Sequence, residues 1–320
     1  MRILLIDADS TIPNLALMKL STHYKNNGHI VDLKRLNIPY YPSRKKIHHK
    51  LDTEGYDLCF CSVIFPESFN YIHGDNIEFG GTGYSLEKNL PDEIEACEPD
   101  YTIYPENNIS YGFLSRGCIR NCSFCFVPKK EGKIRKVNSV ENIVRHPVTK
   151  FMDNNFLALY EANEIMQELI QKNIRHQFNQ GLDIRLVDKT KSDLLSKLNY
   201  HKEYIFAFDN IKYKNIIEDK LSLMAWRKDW QFKFFVYVNP EMKIRETTDR
   251  IKILSDKKCL PYVMRDLSCW ESDDKDFYTD IASWCNQPAF FKNMAFEEFM
   301  QRRTTNKKRI ENSVRLFKTS

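Results

Sequence analysis

The most constraining feature of the chain is a short segment that holds three of its nine cysteines within eight residues. Cys118, Cys122 and Cys125 are spaced C-x3-C-x2-C, in a predicted loop that follows the apolar run 111–114. A cubic iron–sulfur cluster takes thiolate ligands on its irons, and a short loop can supply three of them. The fourth iron would then lack a protein ligand, much as a catalytic zinc keeps one open position. The spacing therefore predicts a [4Fe-4S] cluster with one iron open to another molecule.

The same segment resembles the cluster-binding motif of the radical S-adenosylmethionine (SAM) superfamily. That motif is C-x3-C-x-aromatic-C; Phe124 is the aromatic residue here, and Gly117 precedes the first cysteine. The resemblance implies that SAM binds the open iron and that an electron from the reduced cluster cleaves it. The 5′-deoxyadenosyl radical so formed would abstract hydrogen from a substrate. It also implies that the three cysteines hold the cluster, that Phe124 lies near the adenine, and that a flavodoxin or ferredoxin supplies the electron.

The cysteines could also form a disulfide, a structural zinc site or a further cluster. A disulfide is disfavoured because three thiols cannot pair among themselves and nothing in the sequence suggests secretion. A structural zinc site would need a fourth ligand, and the candidates are distant in sequence: Cys97, or the pair Cys59 and Cys61. These three cysteines match the extra cluster of methylthiotransferases in number but not in position, so a second cluster stays a minor hypothesis. For Cys259, Cys269 and Cys285 the sequence favours packing over an auxiliary cluster.

Composition predicts a soluble globular protein, with 42% hydrophobic and 28% charged residues. No apolar run reaches the length of a transmembrane helix, and the run 3–6 is too short for a signal peptide. Cysteines without a leader fit a reducing cytosol. We therefore expect a cytoplasmic protein with no membrane contact.

The net charge of +5 is concentrated at the C-terminus. Residues 302–320 hold seven of the 48 basic residues and one of the 43 acidic residues, so the rest of the chain is close to neutral. Basic segments attract phosphate backbones, although most such runs are simply solvated surface. The basic tail, residues 304–320, makes RNA or DNA one candidate partner.

Residues 1–108 alternate between strand and helix patterns, which predicts a Rossmann-like parallel sheet. The layout resembles the cobalamin-binding-like domain found in one branch of the radical SAM superfamily. Asp-x-His-x-x-Gly, which supplies a lower axial histidine to cobalamin, is absent, so cobalamin stays open but disfavoured. The segment 80–83 (GGTG) lacks phosphate-loop spacing and predicts a turn. The predicted strands are Arg2–Ile6, Ile30–Leu36, Tyr56–Phe65 and Tyr101–Tyr104, with a helix over 14–27.

Residues 109–303 contain six strand candidates separated by helical patterns. This alternation fits an open, partial (β/α)6 TIM-like barrel, which the resemblance also implies. In such barrels the chemistry lies at the carboxyl ends of the strands. The predicted strands are Tyr111–Arg116, Lys150–Asp153, Arg175–Asn179, Tyr204–Asp209, Phe232–Asn239 and Leu260–Arg265.

Polar residues at these strand ends are the candidate SAM ligands that the resemblance implies. Arg185 is the candidate for the SAM carboxylate, because a guanidinium can pair with it through two hydrogen bonds. Any one of these residues could instead be a turn or cap residue. The others are Asp153 and Asn155 for the amino group, Gln180 beside Arg185, Asp209 for the ribose, and Asn239 near the adenine.

The sequence thus predicts a radical SAM enzyme acting on an unidentified substrate. Three alternatives remain open. One is a radical enzyme that modifies RNA or DNA, another is a radical methyltransferase, and the third is an iron–sulfur redox or sensor protein that does not turn over SAM.

Overall fold

A computed structural model describes residues 1–39 and 45–318, and the chain divides into two compact units. Both mix helices with parallel strands, as the alternating sequence pattern predicts. The division passes through the cysteine segment, with Cys118 in unit 2 and the other two cysteines in unit 1. Unit 1 comprises Met1–Gly112, Arg120–Lys133 and Glu141–Pro147; unit 2 comprises Phe113–Ile119, Ile134–Val140 and Val148–Ser320.

The first part of the chain forms strands β1 to β7 and helices α1 to α4. The strands are β1 (Arg2–Asp7), β2 (Ile30–Arg35), β3 (His49–Lys50), β4 (Leu58–Ser62), β5 (Ile72–His73), β6 (Ile77–Gly80) and β7 (Ile109–Gly112). The helices are α1 (Leu15–Asn26), α2 (Asp92–Glu95), α3 (Val127–Glu131) and α4 (Val140–Ile143).

A four-stranded sheet of order β2-β1-β4-β6 forms the centre of unit 1, and its paired strands are parallel. Alternate residues of β1 point to opposite faces. Ile3 and Leu5 pack with Leu17 of α1 on one face, whereas Leu4 and Ile6 belong to the core on the other. The period-two pattern of the sequence therefore produces two cores, one on each side of the sheet.

One predicted strand of unit 1 is wrong. Tyr101–Ile103 is a 3-10 turn, which Asp100 caps by accepting a hydrogen bond from the Thr102 N–H at 2.9 Å. The fourth strand is β6 instead. Its four residues run directly into the glycine-rich turn, and such a short segment gives little periodic signal.

The rest of the chain forms strands β8 to β14 and helices α5 to α12. The strands are β8 (Ser115–Arg116), β9 (Arg135–Lys136), β10 (Val148–Phe151), β11 (His176–Phe178), β12 (Tyr204–Ala207), β13 (Phe232–Val238) and β14 (Leu260–Arg265). The helices are α5 (Ala162–Gln171), α6 (Lys189–Lys197), α7 (Lys214–Leu223), α8 (Ile244–Asp256), α9 (Lys275–Cys285), α10 (Pro288–Asn293), α11 (Phe296–Arg303) and α12 (Lys307–Lys318).

Parallel pairing joins β10 to β11, β12 to β13 and β13 to β14, and helices separate these strands in the sequence. Each of the last five predicted strands overlaps an observed one. The predicted strand Tyr111–Arg116 is wrong as a single element, because β7 ends at Gly112 and β8 begins at Ser115. β8 pairs antiparallel with β9 as a short ribbon.

The basic C-terminal segment is helical and packs on unit 2. Phe317 of α12 contacts Trp284 of α9 and Phe296 of α11, with ring centroids 5.6 and 4.9 Å apart. Throughout the ranges 1–39 and 45–318, every helix is too short or too polar to cross a lipid bilayer.

Candidate functional site

Asp153 fixes the strand that leads into the cysteine segment. Its carboxylate accepts hydrogen bonds from the Ser115 N–H at 2.5 Å, the Ser115 hydroxyl at 2.6 Å and the Leu114 N–H at 3.2 Å. Burial raises the pKa of Asp153 to about 6, although these hydrogen bonds favour the carboxylate. Both oxygens are therefore engaged within unit 2, and the structure gives this predicted SAM ligand an anchoring contact to β8.

Asn155 lies directly beside the first cysteine. Its Nδ2 donates to the Cys118 Sγ at 3.4 Å, and the residue is only 3% exposed. Its Oδ1 is buried and has no hydrogen-bond partner among the described residues. A buried acceptor without a donor costs free energy, so this oxygen is suited to an N–H or O–H group of a bound molecule.

The backbone around Cys118 is shaped by its neighbours. Gly117 has a φ of +88°, which favours glycine, and its N–H donates to the Asn154 Oδ1 at 3.3 Å. Asn154 and Asn155 thus both contact the segment 117–118. The predicted strand-end residues after β10 and the first cysteine are brought together in unit 2.

The other two cysteines form a turn in unit 1. The Cys125 N–H donates to the Cys122 carbonyl at 3.0 Å, and both side chains are half-buried, as is that of Cys118. Phe124, between them, is 44% exposed. In the part of the chain that the structure describes, no three His, Cys, Asp or Glu side chains converge as a metal site.

Arg185 has an internal partner. Its Nε and Nη2 donate to the two Asp183 oxygens at 2.7 and 3.0 Å, and its guanidinium lies 4.5 Å from the centre of the Tyr213 ring. This is the two-bond geometry that the sequence predicts toward a SAM carboxylate. A ligand carboxylate at Arg185 would have to compete with Asp183, while the neighbouring Gln180 is exposed.

Asp209 and Asn239 stabilise the ends of β12 and β13. Asp209 accepts a hydrogen bond from the Tyr237 N–H at 3.0 Å, and burial raises its pKa against the opposing effect of that bond and of nearby Arg250 and Arg185. Asn239 accepts from the Met242 N–H at 3.0 Å. Both predicted residues therefore lie at strand ends, as expected, and each also makes a local structural contact.

Sequence reasoning missed Arg250 on α8. This arginine is fully buried and donates to the carbonyl oxygens of Phe208 at 2.8 Å and Tyr237 at 3.0 Å. Burial lowers its pKa to about 10. An arginine in an amphipathic helix gives no sequence signal of burial, because its partners are backbone atoms of distant strands.

Five of the six remaining cysteines are buried packing residues. Cys59 and Cys61 lie in the core that contains Leu4 and Ile6, where burial raises the pKa of both thiols. Ile94 of α2, three residues before Cys97, packs in the core on the opposite face of the sheet. Cys97 itself is half-buried, and its Sγ donates to the Glu93 carbonyl at 3.3 Å. Burial also raises the pKa of Cys259 to about 12 and of Cys269 to about 11, and that of Cys285 rises as well.

The carboxyl edge of the unit 1 sheet is filled by the chain itself. A Cβ on Gly81 would lie 2.3 Å from the Val63 carbonyl oxygen, so the predicted glycine turn packs directly on the end of β4. Asp9 accepts hydrogen bonds from the Ile64 and Phe65 N–H groups at 2.9 and 3.0 Å. A buried carboxylate at this edge would also repel the phosphate of a nucleotide tail. The residues at this edge therefore do not favour cobalamin.

Two of the five basic residues of the tail form ion pairs with the rest of unit 2. Arg309 pairs with Asp280 at 2.6 Å, and Lys318 forms an ion pair with Glu297. Lys307 and Lys308 are exposed. The electrostatic case for nucleic-acid binding by α12 is therefore weaker than its sequence suggests.

Comparison of the chain with protein-family models, with curated proteins and with solved structures finds no match.

Proposed function

We propose that this protein is a radical SAM enzyme in which Cys118, Cys122 and Cys125 bind a [4Fe-4S] cluster. In this proposal the N-terminal sheet is Rossmann-like, and the strands from β10 onward belong to an open (β/α)6 barrel. The observation that carries the proposal is the C-x3-C-x2-C spacing, which leaves one iron of a cubane without a protein ligand. The half-buried state of all three thiols supports it, since a cluster needs ligands that are reachable yet shielded.

The surroundings of Cys118 fit such a group. The Asn155 amide donates to its sulfur, and a hydrogen bond of this kind stabilises a thiolate and tunes a cluster. The buried, unpaired Asn155 Oδ1 offers an acceptor to the ammonium of SAM. Asp153 contributes indirectly, because it holds β8 and therefore the position at which the cysteine segment begins.

When bound, the cluster and SAM together supply a 5′-deoxyadenosyl radical that takes hydrogen from the substrate. The chain's own residues position, orient and shield these groups. Phe124, exposed on the cysteine turn, can stack on the adenine. Asp209 and Asn239 stabilise the strand ends at which a barrel enzyme holds its ligand.

An external electron donor completes the proposal. Lys129, in the basic segment after the cysteines, is exposed, and Arg120 is half-buried. Positive charge there would attract an acidic flavodoxin or ferredoxin in the cytoplasm, so reduction should slow as salt is raised. A reduction rate that is insensitive to salt would argue against this docking mode.

The decisive experiment is anaerobic reconstitution with iron and sulfide, followed by dithionite and SAM. We expect 5′-deoxyadenosine from the wild type and none from Cys122→Ala. Cys97→Ala is a matched control, because Cys97 is also half-buried but lies outside the motif, and it should retain activity. Electron paramagnetic resonance should show a change in the reduced cluster signal when SAM is added.

Two outcomes would redirect the assignment. A cluster that assembles but shows no SAM-dependent spectral change would favour the redox or sensor alternative. If replacing each of the three motif cysteines with alanine leaves the bound iron unchanged, the cluster itself is refuted. A radical methyltransferase is less favoured, because the carboxyl edge of the unit 1 sheet does not favour cobalamin and five of the six remaining cysteines are buried in packing positions.

A further inference from the structure

Four basic residues lie in or near the loop that leads into β12. We name Lys150, Arg175, His201 and Lys202 the β12 basic patch. The His201 N–H donates to the His176 carbonyl at 2.6 Å, which ties this loop to β11. On the neighbouring strands Lys150 lies opposite Gln177, whose Nε2 donates to the Glu203 carbonyl at 3.2 Å.

Positive charge in the patch is only partly compensated. Glu203 is the adjacent carboxylate; although burial opposes it, Lys233, paired with Glu203 at 3.2 Å, and Lys202 lower its pKa. Within the described ranges, no ion pair involves Lys150, Arg175 or Lys202.

The basic groups also act on one another. Burial lowers the pKa of Lys150, and Lys202 lowers it further. Burial lowers the pKa of His201 as well; Arg175, Lys202 and Lys150 add to that shift, and Glu203 opposes it. Repulsion between these like charges therefore lowers the stability of the folded state.

Two further features of the loop cost free energy. Lys202 has a φ of +63°, a left-handed conformation that is strained for a residue with a side chain. The His201 Nδ1 is buried and has no hydrogen-bond partner among the described residues. An unpaired imidazole nitrogen therefore lies next to a strained lysine whose charge is only partly compensated.

We propose that the β12 basic patch is a binding site for phosphate groups. Phosphate carries the opposite charge, accepts several hydrogen bonds at once, and can accept one from an imidazole N–H. A single carboxylate would neutralise less of the charge. The site lies at the start of β12, whereas Asp209 follows its end, and six residues of extended chain span about 20 Å. His201 and Lys202 are therefore separate from the carboxyl end of β12, whereas Lys150 lies three residues before Asp153. The observations that define the patch involve neither the cluster nor SAM, so the proposal does not depend on the proposed function.

The test measures phosphate binding directly, without cluster or SAM. Inorganic pyrophosphate is titrated by calorimetry, and a fluorescent single-stranded RNA is titrated by anisotropy at several salt concentrations. We expect the double variant Lys150→Gln/Lys202→Gln to weaken binding by about tenfold or more and to reduce the salt dependence by about two charges. Binding of pyrophosphate and RNA would indicate a general phosphate site; binding of RNA alone would identify the ligand as nucleic acid.

Two further variants separate binding from folding. Lys202→Gly removes the charge but suits the left-handed backbone, so it should weaken binding while the melting temperature stays level or rises. Lys307→Gln/Lys308→Gln removes two exposed charges from α12 and should leave pyrophosphate binding unchanged. The proposal is overturned if the wild type binds neither probe, or if the α12 variant loses as much affinity as the patch variant.

Discussion

Arg309 on α12 binds the fully buried Asp280 on α9 through two nitrogens, at 2.6 and 3.0 Å. The same carboxylate accepts a hydrogen bond from the Arg303 Nε at 2.8 Å and from the Ser313 hydroxyl at 3.0 Å. One buried anion therefore joins α9, α11 and α12. A segment whose composition suggests a solvated basic tail is instead held to unit 2 by its own charges.

Replacing Asp280 with alanine should destabilise the protein strongly, since it leaves Arg303 without its anion and Arg309 with only the exposed Asp276 at 3.2 Å. We expect the free energy of unfolding in urea to fall by about 2–4 kcal/mol, below the full cost of a wholly buried pair because both arginines reach solvent. Glu298→Ala is the control, because its exposed pair with Arg302 should contribute under about 1 kcal/mol. Equal losses in the two variants would show that the buried carboxylate has no special role.

The raised pKa of Asp153 predicts that the free energy of unfolding depends on pH. Burial raises its pKa from 3.8 to about 6 in the folded protein, so between those values the folded chain binds more protons than the unfolded chain. The free energy of unfolding should therefore fall as the pH rises from about 4 to about 6, by roughly 3 kcal/mol from this group. Asp153→Asn should remove that component, which is measurable by urea unfolding at several pH values.

Asp193→Asn is the matched control for this prediction, because Asp193 is exposed on α6. It should retain the pH dependence of the wild type. If Asp153→Asn and the wild type lose stability in parallel over this range, the Asp153 carboxyl does not titrate as the structure indicates.

Asn155 should affect cluster assembly through its contact with Cys118. Asn155→Asp places a carboxylate beside the sulfur, which opposes thiolate formation and removes an N–H donor. We expect slower alkylation of Cys118 at neutral pH in the cluster-free protein, read by peptide mass spectrometry, and less iron bound after reconstitution. Asn215→Asp, at an exposed position in the first turn of α7, should leave both unchanged; unaltered alkylation in Asn155→Asp would contradict the role of this hydrogen bond.

The strands from β10 to β14 could be predicted because each is a short apolar run between helical patterns. The residues that end them could also be named, since polar side chains follow the apolar runs. Their partners could not be predicted: Asp183 engages Arg185, and the Tyr237 N–H engages Asp209, only once separate turns and strands are in place. The sequence thus predicts which polar residues follow the strands but not the structural contacts that these residues make.

Arg250 offers a direct test of these structural contacts, which the sequence does not predict. Its guanidinium donates to carbonyl oxygens that follow β12 and lie in β13, and to the Thr247 hydroxyl at 3.1 Å. Arg250→Met fills similar space but leaves the buried carbonyl groups of Phe208 and Tyr237 without donors, so the free energy of unfolding should fall by about 2–4 kcal/mol. Arg250→Lys should recover part of the loss, because an ammonium can still donate to one of them.

The control for Arg250 lies on the same helix. Arg245 has a side chain that is 75% exposed and a loose ion pair with Asp249 at 3.7 Å. Arg245→Met should therefore change the free energy of unfolding by less than about 0.5 kcal/mol. If the two methionine variants unfold at the same urea concentration, the strand ends do not depend on Arg250. If only Arg250→Met is destabilised and Arg250→Lys is intermediate, the buried guanidinium fixes the spacing of β12 and β13 that any ligand at their carboxyl ends would require.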